Sequence, residues 1–240
     1  MGNPIKINTE ALFYPYLYTM KNKLFLALLI IFGVSLVYYL QNLPKEVPLP
    51  IINPSDLVPE MVDPEVLMER KGYGHTIGNF SFVNQNNEII TQQEIENKIF
   101  VAEYFFTTCT NICPIMNKEM QRVYTKYKSQ DDFRVLSFTV DPDVDSVSVM
   151  KAYAERHNGG SRWHFLTGSK EKLYALARKS FFVLKPAEAE NIGDAGSDFI
   201  HTNNFVLVDR QRRIRGYYDG TRTSSVDSLM IDIDKVLKEE

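Results

Sequence analysis

From Leu24 to Leu40 the chain reads LFLALLIIFGVSLVYYL, almost wholly apolar, and no charge falls between Leu24 and Pro44. Roughly 20 helical residues cross a hydrocarbon core of about 30 Å, so this run predicts one transmembrane helix over residues 24–43. Two other readings compete, a cleaved signal peptide and a buried core helix. No small-x-small cleavage pattern follows the run, no cysteine lies nearby for lipid attachment, and the run lacks the polar face expected of a core helix. Tyr38 and Tyr39 near its end suit an aromatic belt. Lys6, Lys21 and Lys23 precede it, so residues 1–23 are expected in the cytoplasm and everything beyond about residue 45 on the far, periplasmic or extracytoplasmic side. Pro44, Pro48, Pro50, Pro54, Pro59 and Pro64 then read as an extended, semi-stiff spacer, assigned to residues 44–71.

Residues 72–240 alternate between strand and helix patterns. Phe80–Ile90, with polar residues at its centre, suggests a leading hairpin. Ile99–Thr107 (IFVAEYFFT) and Phe133–Val140 read as buried strands. Pro114–Lys128 carries Met116, Met120, Val123 and Tyr127 at helical spacing, with Pro114 suited to a first turn. Further helices are expected over Ser146–His157, over Ser169–Phe182 and, closing the chain, over Ser225–Lys238. Asn204–Val208 and Ile214–Tyr218 form a strand pair about a polar turn. The order is hairpin, then strand–helix–strand–helix–helix–strand–strand–helix. Parallel strands joined by crossover helices, followed by a final hairpin, point to an α/β, thioredoxin-like fold with an N-terminal hairpin and an extra helix.

Composition narrows this little. The chain is 44% hydrophobic and 12% aromatic, as a globular protein is, and its net charge of −3 argues against nucleic acid as a partner. The two cysteines change the picture more. They stand four positions apart, Cys109 in the loop after a predicted central strand and Cys113 at the start of the next helix. A structural disulfide would close a larger loop. A helix N-terminus favours thiolate, which serves equally as nucleophile and metal ligand.

Three residues separate the cysteines, one more than in the familiar redox motif, and that wider turn lets both sulfurs converge on a soft ion. Zinc ordinarily takes four ligands, and no second cysteine pair exists. Two thiolates favour copper as Cu(I), which tolerates three ligands. Of four histidines, His75 is expected on the surface, His157 at a helix end and His164 in a short strand. His201 differs, because it follows a long Gly- and acid-containing loop (Lys185–Asp198) and directly precedes a core strand. In thioredoxin-like folds that segment faces the cysteine loop. His201 is therefore the candidate third ligand, and Asp198 is weighed as its partner or as an ordinary loop acid.

The chain resembles the Sco/SenC family of copper chaperones over nearly all of residues 72–238. The likeness rests on Phe-Phe-Thr-Thr-Cys-Thr-Asn-Ile-Cys-Pro (105–114), Phe-Thr-Val-Asp-Pro-Asp-Val-Asp (138–145), Arg-Trp-His-Phe-Leu-Thr-Gly (162–168) and the segment from His201 into its strand. The resemblance implies a thioredoxin-like fold, a membrane anchor, and a copper site, Cu(I) or Cu(II), on Cys109, Cys113 and His201. It also implies a role in assembling the copper centre of cytochrome c oxidase, with the oxidase's copper-bearing subunit or another copper client as recipient and a copper donor protein upstream. Asp141 matches the family's acidic residue after the second core strand and is expected to support the site. The acidic loop before His201 departs from the family pattern.

Three functions compete on this reading, with a purely structural module as a fourth and weakest. A metallochaperone would hold copper on both thiolates and His201 and pass it on by ligand exchange. A thiol–disulfide reductase would use Cys109 and Cys113 as a redox-active dithiol to keep a partner's copper-ligand cysteines reduced. A peroxiredoxin-type peroxidase would need an arginine beside Cys109, and none is apparent in the sequence. His201 separates the first two, because copper needs it and disulfide exchange does not.

Overall fold

The structure, a computed structural model of the chain, describes residues 10–42, 48–62, 66, 74–183 and 202–239, with backbone alone for 10–22 and for Glu60. Met1–Val47 and Pro48–Glu240 are separate compact units. In the first, helix α1 (Glu10–Gln41) starts well before the apolar run. Its part Lys23–Gln41 has a mean hydropathy of 2.2 and no buried residue, and it is long and apolar enough to cross a membrane.

In the second unit the described strands are β1 (Ser81–Asn84), β2 (Ile89–Thr91), β3 (Ile99–Phe105), β4 (Phe133–Thr139), β5 (Trp163–Thr167), β6 (Asn204–Val208) and β7 (Ile214–Asp219). They form one sheet in the order β2-β1-β5-β4-β3-β6-β7. β3, β4 and β5 are parallel, joined by α2 (Cys113–Tyr127) and α3 (Val147–Arg156). β6 runs antiparallel to β3, with Val101 opposite Leu207, and β7 returns beside it as a hairpin. α4 (Lys170–Lys179) and α5 (Thr223–Lys238) complete the layers.

Strand alternation divides the core between the two faces of the sheet. Phe100, Ala102 and Tyr104 of β3 pack with Leu136, Phe138 and, from α4, Leu173, Leu176 and Ala177. Ile99, Val101 and Phe105 face the other way, with Phe133, Val135, Trp163 and Phe165. That second core is closed by Met116, Met120 and Val123 of α2, Met150 of α3, and Val226, Leu229 and Ile233 of α5. α2, which begins with Cys113, is therefore held against the sheet by three apolar residues on one stripe.

Three expectations need correction. The short strand read around His164 is β5, a full, wholly buried member of the sheet between β4 and β1, which the predicted order left out by passing from helix to helix there. His75 is buried, not on the surface: Nε2 lies 2.7 Å from the Ser180 carbonyl and its ring packs 4.5 Å from that of Phe182. The stretch read as a spacer over 44–71 is in good part built into the globular unit, which begins at Pro48. Arg215 donates to the carbonyls of Leu49 (2.7 Å) and Pro50 (3.1 Å), Ile52 bridges antiparallel to Ile214, and Val62 is buried. Nor is the stretch extended throughout, since Pro54–Asp56 and Pro59–Met61 are single 3-10 turns. A proline-rich stretch suits a linker, but it equally suits the margin of a sheet once Ile52 and Val62 give it something to bury.

Candidate metal centre

Where β3 ends, residues 106–109 make a turn closed by the Cys109 N–H on the Phe106 carbonyl at 3.2 Å. Cys109 is half-buried at the close of that turn, and Cys113 is buried as the first residue of α2. Pro114, at the next position, places no donor where the first helical turn has no acceptor to offer. The Cys113 N–H points at the Cys109 sulfur, 3.4 Å away. Both thiols are free.

The two sulfurs differ in character. Burial alone would raise the Cys109 thiol, yet the Cys113 thiol and the backbone N–H groups of Cys113, Asn111 and Ile112 hydrogen-bond it, and together they hold it below the ordinary cysteine value. Cys113 is pushed far up, first by burial, then by its bond to Cys109 and by the negative charges of Cys109 and Glu103. One thiol is thus shifted toward its thiolate at the positive end of a helix, while the other holds its proton more tightly.

Asp145 anchors this loop from the side. Fully buried in the turn after β4, its carboxylate accepts from the Thr107 N–H at 3.2 Å on both oxygens, from the Thr107 hydroxyl, and from the Thr139 hydroxyl at 2.5 Å. The Thr139 oxygen in turn accepts from the Asp141 N–H at 2.9 Å. Asp141 is half-buried on the same turn, and burial followed by the charges of Asp145 and Asp143 raises its carboxyl above the ordinary aspartate value.

Behind the cysteines, Glu103 is buried on the β3 face that carries Phe105 and Val101. It accepts from the Ser137 hydroxyl at 2.6 Å, and Ser137 accepts from the Trp163 indole N–H at 2.8 Å. Its other oxygen has no hydrogen-bond partner among the described residues. Burial pushes the Glu103 carboxyl up to about 7, with the Ser137 hydroxyl opposing. Asn117 of α2 donates to the Tyr153 hydroxyl nearby, and burial, then the charges of Glu103 and Cys113, raise the Tyr153 phenol.

Of the predicted ligands, Cys109 and Cys113 are brought together. His201, with its neighbour Asp198, lies outside the described residues. Its strand β6 starts at the sheet end where β3 gives way to the cysteine loop, because the two strands run antiparallel. Among the described residues no group of three His, Cys, Asp or Glu side chains is arranged to hold a metal. The other histidines are engaged elsewhere. His164 contacts Asn84 at 3.3 Å and lies 3.7 Å from Glu94, and His157 caps α3 against Tyr153. Burial, and then the charge of Arg156, lower the His157 pKa.

Sequence reasoning singled out neither Glu103 nor Asp145. The first was visible as the one acid in the run IFVAEYFFT, and the second as an acid immediately before a helix start. Neither signal names its partner, because Ser137 and Thr107 come from other segments.

A family model described as SCO1/SenC matches residues 68–238. The chain is 30% identical over 158 residues to the SCO1 protein homolog of Bacillus subtilis (strain 168), covering 64% of this chain and 79% of that one. It is similar in structure to BsSco, described as a member of the Sco family of cytochrome c oxidase assembly proteins with a disulfide switch. That match has a TM-score of 0.58 and 26% identity, over 69% of this chain and 95% of the other. Arabidopsis thaliana ScoI, solved with copper bound, shares the fold at a TM-score of 0.52 and 20% identity, over 68% of this chain and 98% of that one. The mixed sheet and its helices are the thioredoxin-like architecture of these neighbours, and with the family model spanning well over half of its length, the chain belongs to the SCO1/SenC family.

Proposed function

We propose that this chain is a membrane-anchored copper carrier that holds the ion as cargo on Cys109, Cys113 and His201 and delivers it to the copper centre of cytochrome c oxidase during assembly. The observation that supports it most is the Cys109 sulfur seated among three backbone N–H groups at the start of α2, which favour its thiolate form. Soft thiolate donors suit copper, and a low coordination number lets a recipient's ligand enter as one of the carrier's leaves. The two sulfurs come from one short loop and His201 from a separate segment, so donors can be surrendered stepwise. Lys6, Lys21 and Lys23 ahead of the apolar helix support a cytoplasmic N-terminus and an extracytoplasmic globular unit. A copper donor protein upstream and the oxidase's copper-bearing subunit downstream are the partners this reading requires.

The test is copper loading of the full chain in detergent, with copper counted per chain and thiolate-to-Cu(II) absorption recorded. One tightly held copper in the wild type and a strong loss in His201→Ala are expected. Weak binding, or a variant that behaves like the wild type, would overturn the proposed ligand set.

The unequal thiols favour a second reading, a thiol–disulfide reductase. Cys109 would attack a partner's disulfide, and Cys113, once deprotonated, would resolve the mixed disulfide; the partner gains two electrons and this pair becomes the disulfide. His201→Ala leaves that exchange intact, so the same variant separates the two functions.

A further inference from the structure

A carboxylate with no exposed surface carries a heavy desolvation cost unless its surroundings supply strong donors. Among the described residues Asp145 has no basic side chain paired with it. Its donors are the Thr107 N–H, the Thr107 hydroxyl and the Thr139 hydroxyl. Those contacts join the end of β3, the end of β4 and the turn before α3. Thr107 is the second residue of the turn that Cys109 closes, and it is gripped at both its backbone and its side chain. A β-turn whose second residue is fixed and whose ends are bonded (Cys109 N–H to Phe106 O, 3.2 Å) has essentially one orientation left. That orientation brings the Cys109 sulfur within 3.4 Å of the Cys113 N–H.

We infer that Asp145 is a positioning residue for the reacting thiol: through Thr107 it sets the 106–109 turn so that the Cys109 sulfur meets the N–H groups at the start of α2 before any metal or partner arrives. The inference rests on Cys109 being the reacting thiol of the proposed site, but not on copper. The loop is prepared in advance, so neither ligand capture nor thiol exchange has to order it.

Position and charge make opposite demands, which gives the test its force. If Asp145 acted only through its negative charge, removing it would favour the Cys109 thiolate. If it acts through position, removing it draws the sulfur away from its donors and disfavours the thiolate. The measurement is the rate of Cys109 alkylation by iodoacetamide at pH 7, read by mass spectrometry on the full chain in detergent, reduced and metal-free, with thermal unfolding of each variant recorded. Asp145→Ala is expected to slow alkylation by roughly three- to tenfold, as the sulfur moves away from the backbone donors that the set turn presents to it. Thr107→Val keeps the carboxylate and removes one of its donors, and it is expected to slow the reaction part of the way. Thr107→Ser keeps the hydroxyl and should react as the wild type does. A faster or unchanged rate in folded Asp145→Ala, or a Thr107→Val variant equal to wild type, would overturn the inference. Since no metal is present, these outcomes are independent of whether copper binds.

Discussion

Buried charge is handled in opposite ways at the two ends of the sheet. At the end where β3 begins, Asp209 and Arg215 are both buried and saturated with partners. Asp209 accepts from the backbone N–H groups of Gln211 and Arg213 and from the guanidinium groups of Arg213 and Arg215. Arg215 completes a two-point pair with Glu239 at 2.5 and 2.8 Å and reaches the carbonyls of Leu49 and Pro50. At the end where β3 finishes, Glu103 has, among the described residues, a single hydroxyl donor and Asp145 only hydroxyls and one amide, with two free thiols between the surrounding loops. The first arrangement is complete, and any change to it loses something. The second leaves proton positions open and thiol values pulled apart, as sites that do chemistry require. The contrast separates a lock from a workplace within one fold.

The comparison breaks most visibly at the lock. Arg215→Met takes one guanidinium from Asp209, which keeps its bonds to Gln211 and Arg213, deprives Glu239 of its two-point partner and frees two backbone carbonyls. Breaking a buried pair costs up to about 3–5 kcal/mol. Urea unfolding should show that loss while Cys109 alkylation in the folded protein stays unchanged. A slower thiol would mean that the two ends are not independent.

Next comes Glu103. Its carboxyl rises from the ordinary 4.5 to about 7 on folding, so the native state binds its proton more tightly than the unfolded chain does. The stability this contributes is fully present below pH 4.5 and is lost as pH climbs through about 7, an effect of roughly 3 kcal/mol. Glu103→Gln removes that dependence, so wild type minus variant stability should become more unfavourable between pH 4.5 and 8. Parallel pH profiles would contradict the assignment.

The smallest effect belongs to the surface. Arg122 bonds Asp227 across α2 and α5 with both side chains partly in water. Asp227→Asn should cost about 0–1 kcal/mol and fade with salt.

How much of this was readable beforehand depends on how local the cause is. The Cys109–Cys113 pair and the strand-to-helix junction that holds it are encoded within ten residues, and the structure puts them together. Strands β3 and β4 announce themselves through β-branched and aromatic runs. β5 is less legible: His164 reads as part of a short strand, but the burial of the whole strand comes from β4 and β1 closing on either side. His75 reads as surface because its partner Ser180 is 105 positions away. The same distance problem hides Asp145, since Thr107 lies 38 positions upstream. His201 is picked out in the sequence by its loop and its strand, and it lies outside the described residues.

The hold of Arg215 on Leu49 and Pro50 decides where this protein can be cut. A soluble fragment started at residue 72, where the sequence alone would place the domain, discards Ile52 from beside Ile214 and takes two acceptors from a buried guanidinium. It also uncovers backbone at the β7 margin, and bare strand margins invite pairing with a second molecule. A fragment started at Pro48 keeps that margin capped, so the same domain trimmed at two places would differ in its tendency to aggregate.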